Sequence, residues 1–174
     1  MQLGGLRGAV LGDPGGAALL TRLEQEIQGA IADIRRLVYD LRPPALDELG
    51  LVRAVEERAS SFRGPGLKVV VEAEPEPEEI PAAVEVAILR IVHEALANVA
   101  HHAEAGRCLV RLGFGEAATV EVRDDGRGLP AGFRAGVGVN SMRERTAELG
   151  GRFDIVGLPA GGTRVSARLP LRLP

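Results

Sequence analysis

Residues 107–145 read RCLVRLGFGEAATVEVRDDGRGLPAGFRAGVGVNSMRER. Two β-prone runs, 107–114 and 119–123, flank a short turn near Gly115, which predicts a hairpin. A glycine-rich stretch, 124–138, follows, and then a helix over 140–149 closed by Gly150-Gly151. A hairpin here excludes the strand–helix–strand unit of a dinucleotide fold. Downstream, strands are expected over 152–156 and 163–169, separated by LPAGG. Upstream lie a long helix over 82–105, an acidic, Pro-broken loop over 74–81 expected to be solvated, and a strand over 67–73. Before these comes a helix over 51–62, with Val52, Val55 and Ala59 on one face and Gly64-Pro65-Gly66 after it. Strands cluster, with helices between some of them but not all. That order predicts an α+β fold, a two-layer sandwich of a mixed sheet with helices on one face, rather than a doubly wound parallel sheet.

The first forty residues differ in character. Residues 2–11 resemble the tail of a helix, and GDPGG (12–16) is a turn. Residues 17–41 then carry Leu20, Leu23, Ile27, Ala30, Ile34, Leu37 and Leu41 in alternating steps of three and four. This heptad-like stripe predicts a helix of about 25 residues that pairs with a second copy of itself, within a partial helical hairpin. Arg42-Pro43-Pro44 ends it, because proline lacks an N–H and restricts the residue before it. The expected division is a partial hairpin over 1–43, a linker over 44–50 and a globular domain over 51–174.

With 45% hydrophobic and 26% charged residues in 174, the chain can build a packed core. A single cysteine, Cys108, excludes an intrachain disulfide and a multi-cysteine metal site. The net charge of −3, the absence of Trp and an aromatic content of 3% give no footing for nucleic acid. No apolar run approaches the roughly 20 residues of a membrane span, and the N-terminal residues lack the pattern of a signal peptide. The expectation is a soluble, cytoplasmic piece.

Three segments carry polar chemistry. In HEALANVAHHA (93–103), Glu94, Asn98 and His101 fall within about 60° of one another on an ideal helix, with His102 about 40° beyond Asn98. A carboxylate four residues before an amide can orient a water and hold a hard cation through oxygen, and Mg2+ needs few protein ligands. The same spacing also describes an ordinary solvated helix edge. His93 lies to the side and reads as peripheral or packed rather than ligating. In RDDGRGLP (123–130), a strand-end Asp124 can accept a hydrogen bond from an exocyclic amine such as adenine N6, with glycines letting the backbone approach a flat ring. Asp-Gly is equally a common turn. In GVGVNSMRER (136–145), a Gly-x-Gly opens a helix whose first amides favour phosphate, without the Lys-Ser/Thr of a Walker loop. Gly161-Gly162-Thr163 adds a turn that brings a hydroxyl into the last strand.

Taken in order, these four stretches closely resemble the ATP-binding catalytic domain of sensor histidine kinases, in the wider group shared with DNA gyrase B, Hsp90 and MutL. HEALANVAHH resembles the N box, DDGRG the G1 box, GVGVNSMRER the G2 box and GGT the last glycine box. The resemblance spans about residues 51–170 and implies a Bergerat-type ATP-binding fold. LRPPALDELGL (41–51) resembles the connector of the nitrate-sensor and fluidity-sensor subgroup. In that subgroup the acceptor His stands on the first hairpin helix, whereas all three histidines here lie in the N box. The chain is therefore expected to be a piece cut after the acceptor His, from a parent that is a membrane-bound sensor.

The resemblance implies ATP and Mg2+ as ligands. It implies that Asn98 coordinates the metal and that Glu94 serves as a catalytic carboxylate orienting the acceptor. His102 would reach phosphate, as would His101, which stands where many relatives carry Lys or Arg and which must be protonated to replace them. Asp124 would read adenine N6, with Thr163 supporting it through a shared water. Gly126 and Gly128 would shape the pocket floor, and Gly136 and Gly138 would hinge the lid and offer amides to phosphate. The partners implied are a response regulator and a second copy of the chain. The alternatives are a nucleotide-binding or dimerisation module without kinase activity and an anti-sigma-type Ser kinase. The latter lacks the heptad helix and the connector, and gyrase-like or MutL-like ATPases carry a further transducer domain.

Overall fold

A computed structural model describes residues 42–64 and 66–172. The helices expected before residue 42, and the pairing expected of them, lie outside the described residues. The elements run α1 (Pro44–Leu49), α2 (Leu51–Ser60), β1 (Lys68–Ala73), α3 (Ala82–Asn98), β2 (Arg107–Phe114), β3 (Ala117–Asp124), α4 (Val137–Glu148), β4 (Arg152–Gly157) and β5 (Thr163–Pro170). The strands form one five-stranded sheet in the order β1-β2-β3-β5-β4. β1 pairs parallel to β2, which forces the crossover through α3; every other pair is antiparallel. The fold is thus the α+β sandwich with a mixed sheet.

Strand alternation decides which face is covered. Cys108, Val110 and Leu112 of β2, Ala118, Val120 and Val122 of β3, and Val165, Ala167 and Leu169 of β5 are all buried. Register stacks them in rows, with Val110 opposite Val122 opposite Val165, and Leu112 opposite Val120 opposite Ala167. Onto these rows α3 lays Ile88, Ile91, Val92, Ala95 and Leu96, all nearly inaccessible. Each such large side chain, fully buried, contributes roughly 1.5–3 kcal/mol of transfer free energy. α3 is the central helix, packed against α2, α4, β3 and β5. The reverse face of the sheet carries charged pairs, such as Arg111 Nε with Glu72 Oε2 at 2.8 Å.

The structure adds detail to the expected linker and to the loop, which is largely exposed as expected. Within the expected linker, Pro44–Leu49 is a helix with proline in its first turn, where its missing N–H costs nothing. Leu46 is 2% exposed and belongs to the same core as α2 and α3. In the acidic stretch after β1, Glu76 accepts the N–H groups of Leu51 and Val52, each at 3.0 Å, and so caps α2, whose own N-cap residue is a glycine. Glu74 likewise accepts the Phe114 N–H at 2.8 Å. Carboxylates are favoured there because both sites present amides that no backbone carbonyl takes up.

The long helix is also modified. It is α-helical to Asn98, then widens into a π turn over Val99–Ala103, and Glu104 ends it in the left-handed region (φ 53°). α4 starts at Val137, three residues before the expected start, with Gly136 as its extended N-cap. No described helix is long and apolar enough to cross a membrane.

If Glu76 is the cap of α2, Glu76→Ala lowers unfolding free energy by about 1–2 kcal/mol. Urea denaturation reads this as a shifted midpoint at constant slope; Glu78→Ala, at an exposed position of the same stretch, serves as control and leaves the midpoint unmoved.

Candidate functional site

β3 ends on a carboxylate. Alternation puts Asp124 on the covered face with Val120 and Val122, opposite Cys108 of β2, and it is only 5% exposed. Its Oδ1 accepts the Gly126 N–H at 2.8 Å, which turns the chain sharply. On the other side, Arg123 is opposite Arg164, so the register brings Thr163 beside Asp124. The neighbouring Cys108 thiol is pushed up to about 12, first by burial and then by the negative charge of Asp124 and Asp125. It therefore acts as a small neutral filler rather than a nucleophile.

Glycines let three segments close on this strand end. At Gly126 a β-carbon would overlap the Ala103 carbonyl, and the Arg127 N–H donates to that same oxygen at 2.9 Å. At Gly162, where φ is +88°, a β-carbon would overlap the Asp124 carbonyl. At Gly128 it would come within 3.1 Å of the Gly162 oxygen. The turn after β3, the turn before β5 and the end of the central helix are thus interlocked through backbone.

The other side of the site is α3 facing α4. Glu94 and Asn98 are half-buried and one turn apart on the same helix face. A β-carbon at Gly138 would overlap the Glu94 carboxylate, so this glycine admits the first turn of α4 onto Glu94. Gly138 thus lies inside the helix rather than ahead of it, while nothing crowds Gly136. The structure therefore joins Asp124, Gly126, Gly128 and Thr163 in one cluster and Glu94 with Gly138 in a second. Asn98 lies along α3 from Glu94.

His101 and His102 are placed differently from the ideal-helix estimate. Both sit on the π turn, exposed, with ring centroids 6.2 Å apart. In a π turn each residue advances through a smaller angle than in an α-helix, so the 60° sector no longer applies to them. His93 is peripheral, exposed on the helix with its ring 5.5 Å from Phe62. Partial burial, followed by the nearby Arg58 cation, holds its pKa below the ordinary imidazole value. Two participants were not visible in the sequence. One is the Ala103 carbonyl. The other is Asp125, whose Oδ1 accepts the N–H groups of Gly106 (2.9 Å) and Arg107 (2.8 Å). A broad hollow of about 610 Å3 also exists on the reverse face of the sheet, bordered by Glu72, Arg111, Thr119, Glu121 and Arg168, but Glu94, Asn98, Asp124, Gly138 and Thr163 do not line it.

Sequence comparison agrees with this geometry. The family of histidine kinase-, DNA gyrase B-, and HSP90-like ATPases matches residues 83–173, just over half of the chain. The chain belongs to this family. Within it, the similarity is to the ATP-binding part of sensor histidine kinases. The chain is 31% identical over 153 residues to the signal transduction histidine-protein kinase/phosphatase DegS of Brevibacillus brevis, covering 86% of this chain and 40% of that one. It is 32% identical over 161 residues to the sensor histidine kinase MctS of Rhizobium johnstonii, covering 88% and 35%. Among solved structures, the histidine kinase domain of the Erythrobacter litoralis EL346 blue-light activated histidine kinase superposes with a TM-score of 0.57 at 27% identity, over 70% of this chain and 59% of that one. The chain thus spans well under half the length of the two curated relatives.

Two outcomes follow from the packing. Gly126→Ala and Gly162→Ala meet backbone that cannot rotate away, so each lowers stability by more than about 2 kcal/mol in chemical denaturation. Gly138→Ala meets only the end of a flexible Glu94 side chain and costs less than about 1 kcal/mol. In the folded chain, Cys108 stays unmodified by a disulfide reagent at pH 8 and reacts stoichiometrically once urea unfolds the protein; fast labelling of the native chain would contradict the buried neutral thiol.

Proposed function

We propose that this chain is the catalytic region of a two-component sensor histidine kinase, which binds Mg2+-ATP between α3, the end of β3 and the start of α4. The observation that carries the reading is the buried Asp124 at a strand end, with Gly126 and Gly162 closed to backbone contact around it and Glu94 and Asn98 on the facing helix. A carboxylate in that position suits the exocyclic amine of adenine, which only donates, with the Thr163 hydroxyl beside it. Gly126 and Gly128 form the floor. The helix start at Gly136–Gly138 supplies amides without intrahelical partners for phosphate oxygens, aided by its positive dipole end. His101 and His102, at the exposed end of α3, are assigned to the phosphate side.

The residues present fit a magnesium ion held mainly by phosphates. Among the described residues no three His, Cys, Asp or Glu side chains gather as a metal cage, and Asn98 offers a single oxygen near the expected triphosphate. When bound, the ion neutralises phosphate charge. The protein's part is positioning: Asp124 anchors the base, the α4 amides hold the phosphates and Glu94 orients the attacking imidazole. The acceptor nitrogen forms a bond to the γ-phosphorus as the bond from that phosphorus to the β–γ bridging oxygen breaks, and ADP leaves. All three histidines of the chain fall within 93–102, so the acceptor is supplied by a dimerisation helix outside it. The phosphoryl group then passes to an Asp of a response regulator. Residues 1–43 are read as part of the helical hairpin that pairs two copies, 44–50 as the connector and 51–174 as the catalytic domain, on the cytoplasmic side of a membrane-bound parent.

The test is titration of the full chain with ATP in Mg2+, followed by phosphotransfer to an added dimerisation-helix protein that bears the acceptor His. Asp124→Asn weakens ATP binding tenfold or more, because an amide can turn its NH2 toward the adenine amine. Asn98→Ala removes the gain in affinity that Mg2+ confers. Wild-type affinity and transfer in both variants would overturn the site. ATP binding with no transfer to any supplied acceptor would favour a nucleotide-binding module without kinase activity.

A further inference from the structure

Asp125, the second carboxylate of the Asp-Asp-Gly turn, is exposed. Its contacts are nonetheless specific. Oδ1 accepts two successive amides, Gly106 at 2.9 Å and Arg107 at 2.8 Å, and its own N–H donates to the Arg107 carbonyl at 3.2 Å. Three hydrogen bonds thus fix one residue to the point where the chain leaves the central helix and enters β2. The next two residues are fixed to the end of that helix: Gly126 packs on the Ala103 carbonyl, and the Arg127 N–H donates to it at 2.9 Å. Asp124 therefore has β-ladder contacts on its N-terminal side and a clamp to residues 103–107 on its C-terminal side.

We propose that Asp125 is a positioning residue for nucleotide recognition: it fixes the Asp124 carboxylate relative to α3, and so sets the span between the base end and the phosphate end of the site. The inference rests on the nucleotide reading above and assigns a role that reading leaves empty. Asp124 ends β3 buried and Asp125, the next residue, is exposed, so one carboxylate can serve the ligand while its neighbour holds the backbone. The bonds are charge-assisted, with the acceptor oxygen shared between adjacent amides, a geometry that an aliphatic side chain cannot supply and that an asparagine oxygen can.

Loss of this clamp should degrade discrimination more than folding. Adenine presents an N6 amine to Asp124, whereas guanine presents the O6 acceptor, which a carboxylate repels. The experiment is competition of ATP and of GTP against a fluorescent ATP analogue on the full chain in Mg2+. The ratio of the two affinities is independent of the fraction folded, because both nucleotides are read on the same folded molecules. Asp125→Ala narrows the preference for ATP about tenfold. Asp125→Asn keeps the acceptor oxygen and stays within about twofold of wild type. Asp125→Ser, whose shorter hydroxyl reaches one amide, falls between them and carries the same readout should the alanine variant not fold. An alanine or serine variant with the wild-type ratio overturns the proposal, as does an asparagine variant that loses as much as alanine. A wild-type chain with no preference for ATP overturns the nucleotide reading itself, and this proposal with it.

Discussion

A carboxylate set among apolar side chains is tolerable only where fixed donors surround it. Asp124 occupies such a position, in line with Val120 and Val122 beneath the helices and 5% exposed. The arrangement around it follows from that requirement. The chain turns at once so that the Gly126 amide can reach Oδ1. For the turn to fit, the residues that meet it must lack side chains, which is why a glycine stands at 126 against Ala103 and another at 162 against Asp124 itself. The interlocked turns are therefore a consequence of how a polar strand end is accommodated.

The sheet and the central helix were legible because their signals are periodic and local. Alternation marked β2, β3 and β5, and the apolar stripe through Ile88, Ile91, Val92 and Ala95 marked the covered face of α3. The glycine-rich stretches were legible as a set, in their order along the chain. What escaped was decided by partners distant in sequence. Glu76 lies in a stretch whose composition indicates solvent, yet it caps a helix 25 residues earlier. α1 is six residues long, too short for a period to show, and two prolines at its head read as breakers although a proline in the first turn is compatible with a helix. Its helical state depends on Leu46 entering the core.

The π turn was invisible for a related reason. Nothing in VAHHA departs from a helical pattern, and a continuous α-helix placed both imidazoles near Asn98. The widened turn occurs where the Ala103 carbonyl meets Gly126 and Arg127, more than twenty residues away along the chain. A periodicity argument assumes one angle per residue and fails wherever tertiary contacts change that angle. Glu94 and Asn98 precede the widening and keep their helical relation; His101 and His102 lie within it and do not.

The two ends of the site consequently rest on different mechanical footings. Around Asp124 the contacts are backbone to backbone, between a strand end, a turn with positive φ and the last turn of the core helix, and none can shift without breaking ladder or helix hydrogen bonds. At the α4 end the close contact is Gly138 against the terminal atoms of Glu94, which a single side-chain rotation relieves. Residues 129–135, between the two ends, are mostly exposed, with no helix or strand of their own. Local opening costs least where buried contacts and ladder bonds are fewest. Local adjustment therefore falls on residues 129–138 and on Glu94, while the Asp124 end keeps its shape. On the proposed reading, a rigid Asp124 end beside an adjustable α4 end suits holding ATP in a fixed register while a separate imidazole is admitted to its γ-phosphate.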